Sequence, residues 1–265
     1  MERFDLGYMD KISTGNSPLH RLDPGAKVIA TFVFIITVVS FDRYEISALT
    51  PFFLYPLFMA AIGNVPFGYI LRKLLAVSPF AVFIGIFNPI IDRNILFYVG
   101  SLGISGGWVS FVSIFMRFIL TVSASLLLVA VTGFNSICMT LEKYGMPRVF
   151  IVQLLFMYRY MFVLADESQK MVRARSVRSF ASRPPGLIMF VPLAGQLLLR
   201  TLDRAECVYR AMVCRGFNGQ VYPAKRPVSG QSGWFFAAAW IIFFVIFRIY
   251  NIPFLAGSVV MGVFK

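Results

Sequence analysis

The chain has 265 residues, 58% of them hydrophobic, 16% aromatic and only 14% charged, with a formal net charge of +13 and a mean hydropathy of +0.75. A soluble domain carries about a quarter charged residues, so this much apolar surface exceeds what one soluble core hides, and lipid is indicated as the solvent. The excess charge does not indicate nucleic acid, because residues 142–226 hold 14 Lys/Arg against 5 Asp/Glu between apolar runs, as in a cytoplasmic region of an inner-membrane protein.

In chain order, the first 25 residues mix acids and bases, and the first apolar run begins only at Ala26, with no small-residue cleavage site after it. No signal peptide is therefore expected, and the N-terminus is placed in the cytoplasm. Membrane spans, which need about 20 apolar residues, are expected at 26–41, 46–63, 74–91, 108–133 and 233–250. The turn Asp42-Arg43-Tyr44-Glu45 follows the first span, and Gly63-Asn64-Val65-Pro66 ends the second. Arg72-Lys73 precedes the third, and Asn88-Pro89 with Asp92-Arg93 closes it. A Gly/Ser-rich connection (Gly100, Gly103, Gly106, Gly107) leads to the fourth, which Trp108 opens. Trp234 and Trp240 start the last, and the apolar tail after Pro253 extends it or lies at the surface. The charge bias orients these five spans without contradiction: Arg72-Lys73 and the region 134–232 inside, Asp42 to Glu45 and the Asp92 loop outside.

Two apolar segments, 149–165 and 187–199, do not fit as spans. The first carries Arg159 and abuts the five Lys/Arg of 170–183, and the second has only 13 residues. Both read as parts of long helices along or beneath the membrane. Pro147 suits a helix start and no Gly or Pro follows before Pro184, giving about 35 residues and on the order of 50 Å of helix. A second helix is expected from near Pro192 to Arg215, stopped by Gly216 and Gly219, with Pro184-Pro185-Gly186 as the corner between the two. The fold class expected is all-α: a polytopic membrane protein with about five transmembrane helices and two long cytoplasmic helices. Its parts are an N-terminal segment and four-helix membrane bundle (1–133), a cytoplasmic region (134–232) and a C-terminal transmembrane helix (233–265).

The two long helices look like weak internal copies. Gln153-Leu154-Leu155 and Gln196-Leu197-Leu198 open them, and an arginine triplet lies near each C-terminal end: Ala174-Arg175-Ser176 and Cys214-Arg215-Gly216, each arginine nine residues after an acid, Asp166 or Glu206. Arginine is a planar, multi-donor cation charged at any working pH, it complements a helix C-terminus, and small neighbours let a partner surface approach. The residues alone leave two readings open: docking of a protein partner, or contact of Arg173, Arg175, Arg178 and Arg215 with anionic headgroups.

Other polar positions carry less. Arg117, ten residues into the fourth span, is a candidate intramembrane polar site, although bonding to backbone carbonyls or Asn88 of a neighbouring span is the favoured role. His20 is the sole histidine. Transition-metal sites want several N, S or O ligands together, so it is expected to order the N-terminal segment, bonding Asp23, and no metal site is assigned. Cys138, Cys207 and Cys214 read as small packing residues. No Gly-x-x-x-x-Gly-Lys-Ser/Thr phosphate loop occurs, and one histidine assembles no nucleophile–base constellation, so catalysis is not expected.

The segment Ser17-Pro18-Leu19-His20-Arg21-Leu22-Asp23-Pro24, with Tyr209-Arg210-Ala211-Met212-Val213-Cys214-Arg215-Gly216-Phe217, resembles the T component of energy-coupling factor (ECF) transporters. Met157-Tyr158-Arg159-Tyr160 and Met171-Val172-Arg173-Ala174-Arg175-Ser176 also fit its cobalt-transport CbiQ branch, and the resemblance runs from about residue 17 to 219. It implies a non-catalytic coupling subunit of an ECF-type ABC importer for cobalt or nickel, whose long helices are coupling helices. It further implies that Arg175 and Arg215 dock into two ABC ATPase subunits (CbiO-like), which bind ATP and Mg. A substrate-binding membrane subunit (CbiM-like) and a small accessory membrane subunit (CbiN-like) complete the implied complex. Ser176 and Cys214 depart from the family's Ala-Arg-Gly-like triplets. The competing class is a self-sufficient secondary cation transporter or channel with Arg117 in its path. A membrane transferase would need a metal cluster from Asp166, Glu167, Asp203 and Glu206, whose spacing among arginines suits ion pairs such as Glu206–Arg210 better.

Overall fold

The computed structural model of the chain describes residues 13, 15, 17–42, 45–91, 95–99, 102–178, 187–219 and 231–250. Arg43-Tyr44, Asp92-Arg93, the Pro184-Pro185-Gly186 corner and the tail after Pro253 lie outside the described residues. The chain divides into two compact units, one formed by Met1–Thr140 and Arg226–Lys265 and the other by Leu141–Lys225.

The first unit is a helical bundle. Helix α1 (Pro24–Val39) begins where Asp23 Oδ1 accepts a hydrogen bond from Gly25 N at 3.2 Å. A carboxylate at this N-cap satisfies one of the helix's orphan donors. Helix α2 (Ile46–Leu49), a 3₁₀ turn (Thr50–Phe53) and helix α3 (Leu54–Gly63) form one apolar stretch, broken at Asn64 in the left-handed conformation (φ 51°). Helix α4 (Phe67–Gly85) and the short α5 (Asn88–Ile91) lead to a two-stranded antiparallel hairpin, β1 (Ile95–Val99) with β2 (Leu102–Ser105). The 27-residue α6 (Gly106–Thr132) follows, then α7 (Phe134–Lys143), and α10 (Gln231–Ile249) completes the unit.

Among the described residues, five helices are long and apolar enough to cross a membrane: Ile46–Gly63, Phe67–Gly85, Gly106–Thr132, Arg148–Arg178 and Ser232–Ile249. The protein is thus a multi-pass membrane protein, and the number matches the expectation, but the membership does not. The first expected span is a 16-residue helix, shorter than the others. The segment 149–165, set apart as a non-spanning one, belongs to a 31-residue helix that meets the length and composition required.

The third expected span, 74–91, is displaced. Its helix starts at Phe67, because the break at Asn64 and the extended backbone of Pro66 (ψ 121°) already end the preceding one. Arg72 and Lys73 therefore lie inside α4, where Lys73 Nζ is 5.7 Å from the Tyr69 ring. Pro79 is accommodated within the helix, and the end falls at Gly85, before Asn88-Pro89. The hairpin replaces part of the connection read as irregular. The β-prone run Ile95-Leu96-Phe97-Tyr98-Val99 supplies its first strand.

Helices α1 and α10 run parallel. At one end a methyl group at Gly233 would stand 2.8 Å from Asp23 Cβ and 3.1 Å from its backbone N. At the other end Arg248 Nη2 donates to the Ser40 carbonyl at 2.9 Å, with its guanidinium 4.5 Å from the Phe41 ring. The first end also holds Leu19, Gly63 and Val131, since a Gly63 methyl would meet Val131 Cγ2 at 2.8 Å and Leu19 Cδ2 at 3.8 Å. The chain leaves the bundle helices after Thr132 and returns at Gln231 on this same end. Gly233→Ala should push α10 off the α1 cap and cost about 1–3 kcal/mol, read as a lowered thermal midpoint in lipid nanodiscs; an unchanged midpoint would mean that this helix pair is loosely packed.

An aromatic cluster fills the bundle core. Phe34, Phe52, Tyr55 and Phe244 are wholly buried, with Trp240 beside them. The Phe34 ring lies 4.8 Å from Tyr55 and 5.3 Å from Phe244, and Tyr55 lies 5.0 Å from Trp240. Such tilted and edge-on contacts exploit the ring quadrupole. The buried Tyr55 hydroxyl is paired with Thr31 Oγ1 at 2.7 Å, so it is not left unsatisfied in the core.

Candidate partner-docking site

The second unit is built on α8 (Arg148–Arg178) and α9 (Leu187–Cys214). The long helix expected after Pro147 is present, with 31 residues. The second starts earlier than Pro192, which sits inside it. Helix α7 hands over to α8 through Gly145 (φ 96°), and Phe150 N donates to the Pro147 carbonyl at 3.0 Å.

The two helices are antiparallel. Glu167 of α8 takes a 2.6 Å bond from Arg200 Nη1 of α9. Further along α9, the Phe217 ring lies 6.4 Å from Phe156, earlier on α8. A cleft of about 390 Å³ between them is lined by Val163, Leu164 and Glu167 on one side and by residues of 200–207, including Thr201 and Arg204, on the other. Its middle falls near residue 165 of α8 and residue 205 of α9. Arg175 and Arg215 each lie ten residues beyond that point on their own helix, about 15 Å along opposite arms. The arginines therefore stand on opposite arms of the pair, each eight residues beyond the last residue of its helix that lines the cleft, Glu167 or Cys207.

The two arginines are set differently. Arg175 is half-buried and lies three residues before the end of α8. The helix continues past it, and Ser176 Oγ bonds back to the Arg173 carbonyl at 2.8 Å. No left-handed residue is needed after Arg175, which is why serine stands there in place of glycine. Arg215 is the exposed residue just past the last helical one, Cys214, and Gly216 takes φ 77°. Gly216 N donates to the Val213 carbonyl at 2.9 Å and Phe217 N to the Met212 carbonyl at 3.0 Å, the pair of bonds of a Schellman cap. A residue with a Cβ pays about 1–2 kcal/mol for this conformation. Gly216→Ala should therefore speed amide exchange over 212–217 by roughly five- to thirtyfold, whereas Ser176→Ala should leave α8 unchanged.

The remaining candidates separate cleanly. Arg117 Nη2 donates to the backbone carbonyl of Asp42 at 2.5 Å. From Arg117 to Thr132 there is about 22 Å of helix, close to the whole length of α1 at about 24 Å, so Arg117 is level with the α1–α2 turn, not with the bundle middle. The role favoured from sequence, bonding to a backbone carbonyl, is the one observed, and Arg248 joins it on the same turn. His20 Nδ1 lies 2.6 Å from Ser17 Oγ, while Asp23 serves as the α1 cap. Glu206 pairs with Arg210 as its spacing requires, and among the described residues no group of acids, histidines or cysteines is placed to hold a metal ion. Packing accounts for Cys138, whose thiol burial pushes toward the neutral form. It does not account for Cys207 and Cys214, which are exposed on α9, Cys207 at the rim of the cleft against α8.

Sequence reasoning passed over two features. Lys27, one turn after Asp23, is buried in the bundle at 1% exposure; the Asp-x-x-x-Lys spacing at the head of α1 is the signal. Phe217 closes the second arginine motif in the sequence, and in the fold its ring lies 6.4 Å from Phe156 of α8.

Residues 15–225 match the model of the cobalt transport protein family CbiQ. The chain belongs to that family. Among its curated relatives, the energy-coupling factor transporter transmembrane protein EcfT of Leuconostoc gelidum is 31% identical over 250 residues, covering 88% of this chain and 92% of the relative. EcfT of Bacillus subtilis is 26% identical, covering 81% of this chain and 86% of that protein. EcfT of Listeria innocua is 28% identical, covering 83% and 86%. Kinship and architecture together make this CbiQ-family chain a transmembrane component of an energy-coupling factor transporter.

Proposed function

We propose that this protein is the coupling subunit of an ECF-type importer for cobalt or nickel. In this role it passes the closure of two ABC ATPase subunits (CbiO-like) to a separate substrate-binding membrane subunit (CbiM-like), with a small CbiN-like accessory subunit. ATP and Mg belong to the ATPases, and the ion to the substrate-binding subunit. The observation that carries the proposal is the placement of Arg175 and Arg215 on opposite arms of an antiparallel helix pair. Two equivalent sockets on a pair of like subunits call for two like knobs on opposite arms.

Charge and connectivity support a bacterial inner-membrane placement with the second unit in the cytoplasm. The net +9 of residues 142–226, 14 Lys/Arg less 5 Asp/Glu, belongs inside by the charge rule. The chain runs to and from that region at the bundle end that holds the start of α1, so the N-terminus is cytoplasmic too. Arg117 and Arg248 then lie toward the outer face, where carbonyls at the C-terminal end of α1 and in the turn after it hold them.

The coupling helices also present an apolar surface. Val149, Val177, Phe190, Val191 and Leu199 are 62–83% exposed, far more than a solvated helix pair leaves open and typical of a surface that meets lipid or a membrane partner. Cobalt uptake by liposomes holding the tagged protein, its copurified ATPases and its copurified substrate-binding subunit should require ATP. Uptake by the purified chain alone would establish a self-sufficient transporter and overturn the coupling reading.

A further inference from the structure

The end of α9 meets α8 through an aromatic side chain. Residues 213–216, 218 and 219 are exposed, and Phe217 alone among 213–219 is half-buried. Its ring lies 6.4 Å from Phe156 at a tilt of 47°, and Phe156 in turn lies 6.2 Å from Tyr160. This forms a short aromatic column on α8. The backbone between Arg215 and Phe217 is a single glycine in the left-handed region (φ 77°), and Gly219 takes a second left-handed turn two residues on (φ 84°). The cap bonds hold Arg215 N and Phe217 N to the Met212 carbonyl at 3.0 Å each, and the Phe217 ring just beyond them meets α8.

We propose that Phe217, seated on Phe156, is a positioning residue for Arg215: it ties the glycine-capped end of α9 to α8, so that displacement of Arg215 is transmitted to both helices. The proposal rests on the docking role of Arg215 and deepens it. Arg175 is set differently, on a helix that continues three residues beyond it. The pair Glu167–Arg200 bridges α8 and α9 on the other side of the cleft, and being exposed to water it is the weaker of the two ties. A pull on Arg215 would therefore reach α8 near residue 156, at the apolar half of that helix, through the aromatic contact.

The test is the affinity of the copurified ATPase subunits for the full-length protein in nanodiscs, measured for Phe217→Ala, Phe217→Tyr, Phe156→Ala and the double alanine variant. Loss of the ring contact should weaken association by roughly tenfold. Phe217→Tyr should restore it, and the double variant should be no weaker than either single one. In an Arg215→Ala background, Phe217→Ala should change nothing further, because the side chain it positions is gone. A general loss of structure would instead add to the Arg215→Ala defect and would not be rescued by tyrosine; either result overturns the latch. Association weakened by Arg215→Ala but untouched by Phe217→Ala would reject the latch and leave docking in place. Association untouched by both would reject docking and the latch with it.

Discussion

Reversing both knobs, Arg175→Glu with Arg215→Glu, should abolish association with the ATPase subunits and ATP-driven uptake while the protein still reaches the membrane at normal levels. The effect is expected to be large because each substitution replaces an attraction by a repulsion. Removing one partner of a desolvated charge contact costs about 2–5 kcal/mol, much of it from the charge left unpaired. Two such losses on one complex amount to at least a thousandfold in affinity. Folding should be spared. Arg215 is exposed and Arg175 half-buried, and neither lies in the aromatic core of the bundle. The single variants should be intermediate and unequal, since the two arginines sit on different backbone supports. Pull-down of the ATPases with tagged protein, alongside membrane fractionation, checks both halves; a complex that still forms would return the arginines to ordinary headgroup contacts.

The largest effect on stability is expected at Phe244. It is wholly buried, and its ring lies 5.3 Å from Phe34, 5.9 Å from Phe52, 5.4 Å from Tyr55 and 5.7 Å from Trp240. It therefore joins α10 to α1 and to the α2–α3 stretch at once. Lipid tails compete for apolar surface, so burial alone drives helix association less than in water. What Phe244→Ala loses is packing on four rings, at a cost of about 3–5 kcal/mol. The thermal midpoint in nanodiscs should fall steeply, and Phe244→Leu should recover part of it. An alanine variant of near-normal midpoint would mean that α10 is held by the lipid and not by this cluster.

The two experiments probe separate units, and the sequence was informative about them to different degrees. In the bundle, the stretches that become helices are legible because each is apolar over a length that hydrocarbon demands. The boundaries were less legible. The third span was placed seven residues late because Arg72-Lys73 looked like a loop, whereas a helix in a membrane tolerates cations near its end when their long side chains reach the interface. Likewise the depth of Arg117 does not follow from its place ten residues into an expected span. Which turn lies opposite it depends on how far α6 overhangs the 16-residue α1, and no single segment encodes that.

In the second unit, the two arginines, their equal spacing from an acid and the glycine that stops α9 are legible along the chain, because a left-handed cap and a fixed charge are local requirements that only a few residue types meet. The tertiary structure decided that α8 and α9 pair antiparallel. It also decided that the arginines fall on opposite arms at equal distance from the middle of the cleft, and that Phe217 reaches across to Phe156. Apolar periodicity tells which face of a helix is greasy, but it does not tell which other helix that face will meet or in which direction.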